Sequence, residues 1–359
     1  MKVCVFGAGA VGSHLAARLG NSSAVQLSVV ARGSRLEEIL SSGIRVESGE
    51  EIWLSWPVAS TDDPRSLPEQ DVVFVTLKSA DQASVAHHLR HLVGRKGHAV
   101  FVTNGIPWWW NQGSESPAPL PLVDKDCRLW NEFGVERALG CVVYSGNQFV
   151  APGVVRHTAN NRWIVGEPDE YASERVALTV SLMRDAGLGA EPSTNLRREV
   201  LAKLVLNASV NPVAALTGLP IEWLASDNSV KHLTHAVIDE IGDIAQALGH
   251  DVRAACQATR DLVVWPSGVS FDQGRRPSML QDISVGKPVE VEALLGQICA
   301  FADLHKVSCP NSRALLALLR GVNVGLRARR PIAHASAVSA SETFSVHSSL
   351  PFSVDPSFH

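Results

Sequence analysis

What this chain lacks narrows its function before any motif is read. It carries no basic excess: 32 Lys and Arg against 36 Asp and Glu give a net charge of −4 over 359 residues. Nucleic-acid binding usually shows a surplus of positive charge on one face, so no such partner is expected. It has no apolar run of the roughly 18 residues that a membrane span needs, and no membrane association is expected. The apolar opening, residues 1–6, is interrupted by glycines and then by Arg18, which argues against a signal peptide. There is no C-x-x-C pair and no internal repeat. Cys4, Cys127, Cys141, Cys256, Cys299 and Cys309 are scattered, mostly in apolar segments, where cysteine behaves as a small buried hydrophobe. They read as reduced thiols of a cytoplasmic protein, and no metal site is expected.

What remains is an ordinary globular balance, 45% hydrophobic and 19% charged, at a length that suits two domains. Apolar runs at 3–6, 27–30, 72–77 and 99–103 alternate with helical patterns at 11–19 and 36–40. That order predicts a parallel sheet with helices on both faces. Longer alternating strands between 140 and 157 predict antiparallel pairing at the sheet's edge. From about residue 194 the pattern becomes helical, with helices over 196–216, 230–248, 289–304 and 312–326. Gly249 is a natural stop after the second of these. The expected fold class is α/β: an N-terminal Rossmann-type dinucleotide-binding domain over 1–193, then a mainly α-helical C-terminal domain over 194–328. Residues 107–133 read as an insertion whose Trp108-Trp109-Trp110 would anchor it to its own domain. The serine-rich tail 329–359 reads as disordered.

Two sets of residues carry chemistry. Gly7-Ala8-Gly9-Ala10-Val11-Gly12 follows a short strand and opens a helix, the setting in which G-x-G-x-x-G binds a dinucleotide. Gly7 allows the turn, Gly9 lets backbone approach a pyrophosphate, and Gly12 lets helix and sheet pack closely. The second strand ends Val30-Ala31-Arg32 without the acid that binds a ribose 2′-hydroxyl. Arg32, assisted by Arg35, suits the 2′-phosphate of NADP instead. The second set is Lys203, Asn207 and Asn211, at i, i+4 and i+8 on an otherwise apolar helix. Steps of four keep them on one face, and a buried lysine is expensive without a partner or a task. No acidic i+4 partner is present, so the stripe reads as lining a site. Pro212 is expected to bend the helix.

At these residues the sequence resembles the ketopantoate reductase family. The resemblance rests on the glycine motif, Arg32, Val75-Thr76-Leu77-Lys78, Thr103-Asn104-Gly105, Lys203-x-x-x-Asn207-x-x-x-Asn211-Pro212, Pro277-Ser278-Met279-Leu280-Gln281-Asp282 and Val289-Glu290-Val291-Glu292, in order across residues 1–325. It implies NADPH-dependent reduction of 2-dehydropantoate to pantoate, a step towards pantothenate and coenzyme A. Lys203 would then be the general acid and Glu290 the carboxylate that binds substrate hydroxyls. Asn104, Asn207, Asn211 and Ser278 would bind substrate, and Lys78 and Asn104 would help hold cofactor and substrate carbonyl. Two other readings stay open: a reductase of another small 2-oxo acid on the same scaffold, and a non-catalytic NADP-binding regulator. A homodimer is compatible with all of them.

Overall fold

The structure is a computed structural model, and it describes residues 1–265 and 267–329. All but the first residue of the tail expected to be disordered therefore lies outside the described residues. The N-terminal part runs β1 (Lys2–Phe6), α1 (Ala10–Gly20), β2 (Gln26–Val30), α2 (Ser34–Ser42), β3 (Ile44–Ser48), β4 (Glu51–Ser55), β5 (Ala59–Thr61), β6 (Val72–Val75), α3 (Ser79–Gln82), α4 (Ala86–Val93), β7 (His98–Val102), β8 (Ala138–Ala151), β9 (Val154–Gly166), α5 (Glu174–Asp185) and β10 (Gly189–Pro192). The helical part follows as α6 (Leu196–Thr217), α7 (Asn228–Ala247), α8 (Arg253–Asp261), α9 (Ser278–Ser284), α10 (Gln297–His305) and α11 (Pro310–Ala328).

The strands form one sheet in the order β4-β3-β9-β8-β7-β6-β1-β2-β5, with β10 alongside β9. Strands β5, β2, β1, β6, β7 and β8 are parallel neighbours. Chain order reverses at β1, the switch point where open α/β sheets take their ligands. The inner strands are apolar without alternation because both sheet faces are covered. Val3 and Val5 pack on the α1 side, and Cys4 and Phe6 on the α4 side. The β8–β9 hairpin is antiparallel as expected, but it is not at the edge. β9 is extended by β3 and β10, and the β3–β4 hairpin forms the edge. The pairing of β3 with β9 spans more than a hundred residues, a distance at which local pattern carries no signal.

The two halves share one apolar core. It runs from Val75, Leu89 and Phe101 through the tryptophans to Leu201, Ile241, Phe301 and Leu319. Trp108 meets Phe101 and Phe133 edge-on, and Trp109 lies against Gly140 and Leu196. Trp110 stacks near His250 and Phe301 of the helical half. The insertion is thus anchored across both halves rather than to its own domain alone. The indole N–H groups of Trp108 and Trp109 have no hydrogen-bond partner among the described residues. Each orphan costs about 1–3 kcal/mol, whereas burying an aromatic ring of roughly 150–250 Å² is worth about 4–6 kcal/mol, so burial wins. Arg197, in the first turn of α6, ties the same region down by donating to the carbonyls of Trp110, Gln112 and Pro168.

Contrary to the sequence expectation, α6 is long and apolar enough to cross a membrane by composition. However, 72% of its most apolar window is buried inside the protein, as befits a core helix. It continues through Pro212, in keeping with the expected span of 196–216. The N-terminus of α11 is capped from α7: Glu240 accepts from the backbone N–H groups of Asn311 and Ser312 and from both side chains.

One crossing positions the site. Ile106 N–H donates to the Ala293 carbonyl at 2.7 Å. Ala293 sits in a widened turn, Glu292–Gly296, that leads into α10, the kind of turn that recurs at functional sites. Gly105 has φ +83°, and a Cβ there would lie 2.3 Å from the Ala293 oxygen. Gly105→Ala should therefore lower stability by at least about 2 kcal/mol, through the positive φ and the clash together. Urea unfolding checks this; an unchanged midpoint would show that the contact yields freely.

A second expectation concerns pH. The buried His98 donates Nε2–H to Thr179 Oγ1 at 2.8 Å, because the Thr179 hydroxyl is itself spent on the Arg175 carbonyl. Burial, aided by Arg175, lowers its pKa from 6.5 to about 4. The unfolded chain takes up this proton below 6.5 and the folded chain only near 4. Stability is therefore complete above 6.5 and lost as pH falls, by about 2 kcal/mol at about pH 5. The slope of stability against pH should flatten in His98→Asn; a slope identical to the parent's would assign the acid loss elsewhere.

Candidate active site

The glycine turn has the geometry that its sequence implies. Gly7 adopts φ +113°, and its N–H donates to the Val30 carbonyl at 2.9 Å. A Cβ on Gly12 would lie 2.0 Å from the Gly7 oxygen, so only glycine lets α1 pack there. A Cβ on Gly9 would meet nothing within 4 Å, so this backbone faces open space. Gly9 caps α1 with no side-chain hydrogen bond, and the first turn holds no acid. Ala8, Ala10 and Val11 complete a turn whose free N–H groups and positive helix end fit a pyrophosphate. Thr76, at the end of β6, braces it by donating to the Gly7 carbonyl at 2.5 Å.

Arg32 lies at the end of β2, exposed, and forms no ion pair among the described residues. Arg35 is less free: it pairs with Glu38 and stacks over Phe149 at 3.7 Å. Arg32 is therefore the cation on offer at this strand end, which fits a phosphate on the 2′ position.

Lys203 projects from α6 toward the ends of β7 and β8. Its ammonium donates to Asn104 Oδ1 at 2.6 Å and to the Val143 carbonyl. Two of three N–H bonds are thereby directed, and one remains. Burial lowers its pKa from 10.5 to about 8, against the opposing pull of Cys141 and Glu290. Asn207 and Asn211 follow on the same face, 8% and 6% exposed, with Asn211 Nδ2 donating to Asn207 Oδ1 at 3.2 Å. The face also holds an acid, Glu199, one turn before Lys203 and paired with Arg198 at 3.1 Å. It lies at i−4 from Lys203, whereas the i+4 position holds Asn207.

The second carboxylate is held from the other half. Glu290 Oε1 accepts from the Ser79 N–H at 2.8 Å. Burial raises its pKa, with the Ser79 N–H and Lys78 opposing and Asp282 and Asp81 adding to the rise. Lys78 bridges the halves, donating to Asp282 at 2.8 Å and to the Pro288 carbonyl at 3.1 Å. Beside Glu290 lies a cavity of about 240 Å³, to which the insertion contributes Leu122. Ser278 stands apart. It is exposed at the start of α9, and its side chain makes no hydrogen bond among the described residues. The structure thus joins Lys203 with Asn104, Asn207 with Asn211, and Glu290 with Lys78. Sequence reasoning missed the Val143 carbonyl, which no side-chain pattern could reveal, and the Lys78–Asp282 pair, though both residues lay within motifs it used.

Two family models match, "Ketopantoate reductase PanE/ApbA" over residues 3–170 and its C-terminal counterpart over residues 195–323. A 2-dehydropantoate 2-reductase of Mesorhizobium japonicum is 35% identical over 328 residues, 90% of this chain and 98% of the relative. One of Archaeoglobus fulgidus is 29% identical, covering 90% and 99%. Among solved structures, a putative ketopantoate reductase from Ralstonia solanacearum is 33% identical, with a TM-score of 0.80 over 90% of this chain and 98% of that one. A D-mandelate dehydrogenase with NADH shares the fold at a TM-score of 0.76 and 15% identity. By the match of both family models and of these relatives, this chain belongs to the ketopantoate reductase family.

Proposed function

We propose that the chain reduces 2-dehydropantoate to pantoate with NADPH, with Lys203 as proton donor. The observation that carries this is the Lys203 ammonium, anchored at two hydrogens by Asn104 and Val143 and desolvated to a pKa of about 8. An acid of that pKa is mostly protonated at neutral pH yet gives up its proton readily. A nicotinamide held at the glycine turn would supply hydride chemistry to the carbonyl carbon. Lys203 directs its remaining N–H at the carbonyl oxygen and transfers that proton as the alcohol forms. Asn207 and Asn211 present amide groups along the same face, and Glu290, fixed by Ser79, accepts a substrate hydroxyl. Arg32 would hold the 2′-phosphate that separates NADPH from NADH, while Gly7, Gly9 and Gly12 admit the pyrophosphate. Lys78, already engaged by Asp282, would keep the two halves registered around the ligands. A cytoplasmic setting belongs to the same proposal.

A second reading, a reductase of a different 2-oxo acid on the same scaffold, keeps the same roles for Lys203 and Glu290 and changes only the acid they act on. A screen of 2-oxo acids with NADPH separates the two readings, and turnover of 2-dehydropantoate well below that of another acid would favour the second.

Lys203→Ala should reduce kcat on the order of 10²-fold or more, with a smaller effect on KM. The donor must be protonated, so parental kcat should fall as pH rises through about 8. A rate that holds steady far above that pH would remove Lys203 from the role. Arg32→Ala should weaken NADPH binding about 10-fold or more, the worth of a charged hydrogen bond, and leave NADH unchanged. Titration calorimetry reads this without turnover, and equal losses for both cofactors would refute the assignment.

A further inference from the structure

Burial works against the charge of Lys203, and the Glu290 carboxylate opposes that effect. Among the described residues it forms no ion pair. The acids around it are bonded elsewhere: Glu290, which favours the ammonium without pairing with it, accepts from Ser79, and Glu199, one turn earlier on α6, pairs with Arg198. Cys141 on β8 is a buried neutral thiol whose pKa is pushed up to about 12. What does face the ammonium is an aromatic ring. Tyr144 follows Val143 on β8, and the Lys203 nitrogen lies 5.6 Å from its ring centroid. The opposite strand position is Arg162, whose guanidinium lies 5.6 Å from the same centroid and is held by Glu191. Two cations therefore lie within reach of the ring, and Val143 and Tyr144 both contact Lys203, one by its carbonyl and the other by its π system.

We propose that Tyr144 is a positioning residue for Lys203, its ring holding the ammonium in place and favouring the charged form. A ring within about 6 Å of a cation attracts it through the ring quadrupole, more strongly where water is excluded. Burial pushes Lys203 towards the neutral amine, and the ring pushes back. The phenol hydroxyl takes no part, so phenylalanine should serve as well as tyrosine. This rests on Lys203 being the proton donor.

The test is the alkaline limb of the pH profile of kcat, with NADPH and 2-dehydropantoate, for the full chain and its variants. Tyr144→Phe should keep the limb where the parent has it. Tyr144→Met, which fills similar space without a ring, should move it down by about half a unit to one unit. A limb unmoved in the methionine variant, or moved as far in the phenylalanine variant, overturns the proposal. Should the methionine variant not fold, Tyr144→Trp, with its stronger π face, should move the limb up, and a limb that stays or falls overturns it. Lys203→Ala keeps the two ideas apart. If it retains the parental limb, the proton-donor reading fails and takes this one with it. If it abolishes the limb while Tyr144→Met leaves the limb in place, only the role of Tyr144 fails.

Discussion

A single ammonium group, drawn out of water and held by a side-chain amide and a strand carbonyl, is the constraint around which this molecule is arranged. Desolvation pushes Lys203 towards the neutral amine. The structure moderates that by supplying oxygen acceptors from two different strands, Asn104 beyond β7 and Val143 on β8. Those strands must reach α6 closely, and the shared core explains how they do. Leu196 and Leu201 of α6 pack into the same apolar cluster as Phe101 of β7 and Val142 of β8. The lysine is held at the end of a greasy interface, which is why it is both dry and fixed.

The opposite wall depends on backbone rather than side chains. Glu290 receives an N–H from Ser79, and the following turn receives one from Ile106. Both donors lie just past the ends of parallel strands, where a doubly wound sheet leaves room for ligands. The carboxylate and the ammonium thus come from the helical half, but their orientation is set by the sheet. Asp282 and Lys78 add a charge pair across the same boundary, partly exposed and so worth little in stability, though it fixes register.

The parts of this arrangement that could be read in advance were the local ones. The glycine turn announces itself because each glycine answers a steric demand within a few residues, and β1, α1 and β2 follow the periodicity of their own sequence. The stripe of Lys203, Asn207 and Asn211 stood out because polar residues on an apolar helix need a reason. What escaped were features made by distant pairing. The β8–β9 hairpin looked like an edge because nothing in its residues points to β3, whose five residues sit far up the chain. Trp110 looked like a local anchor because His250 and Phe301 belong to elements remote in sequence. Ser278 was named through resemblance alone, and its side chain has no hydrogen bond among the described residues.

The three tryptophans have a consequence for how such a protein can change over generations. Because one apolar cluster is built from residues on both sides of the boundary between sheet and helices, neither half carries a finished surface of its own. Exchanging the helical half for that of a cousin would set its side chains against an insertion shaped for others. Inheritance of the two halves is therefore coupled, and new substrate preferences in this lineage would arise more readily by altering the insertion and its contacts in place than by shuffling whole segments.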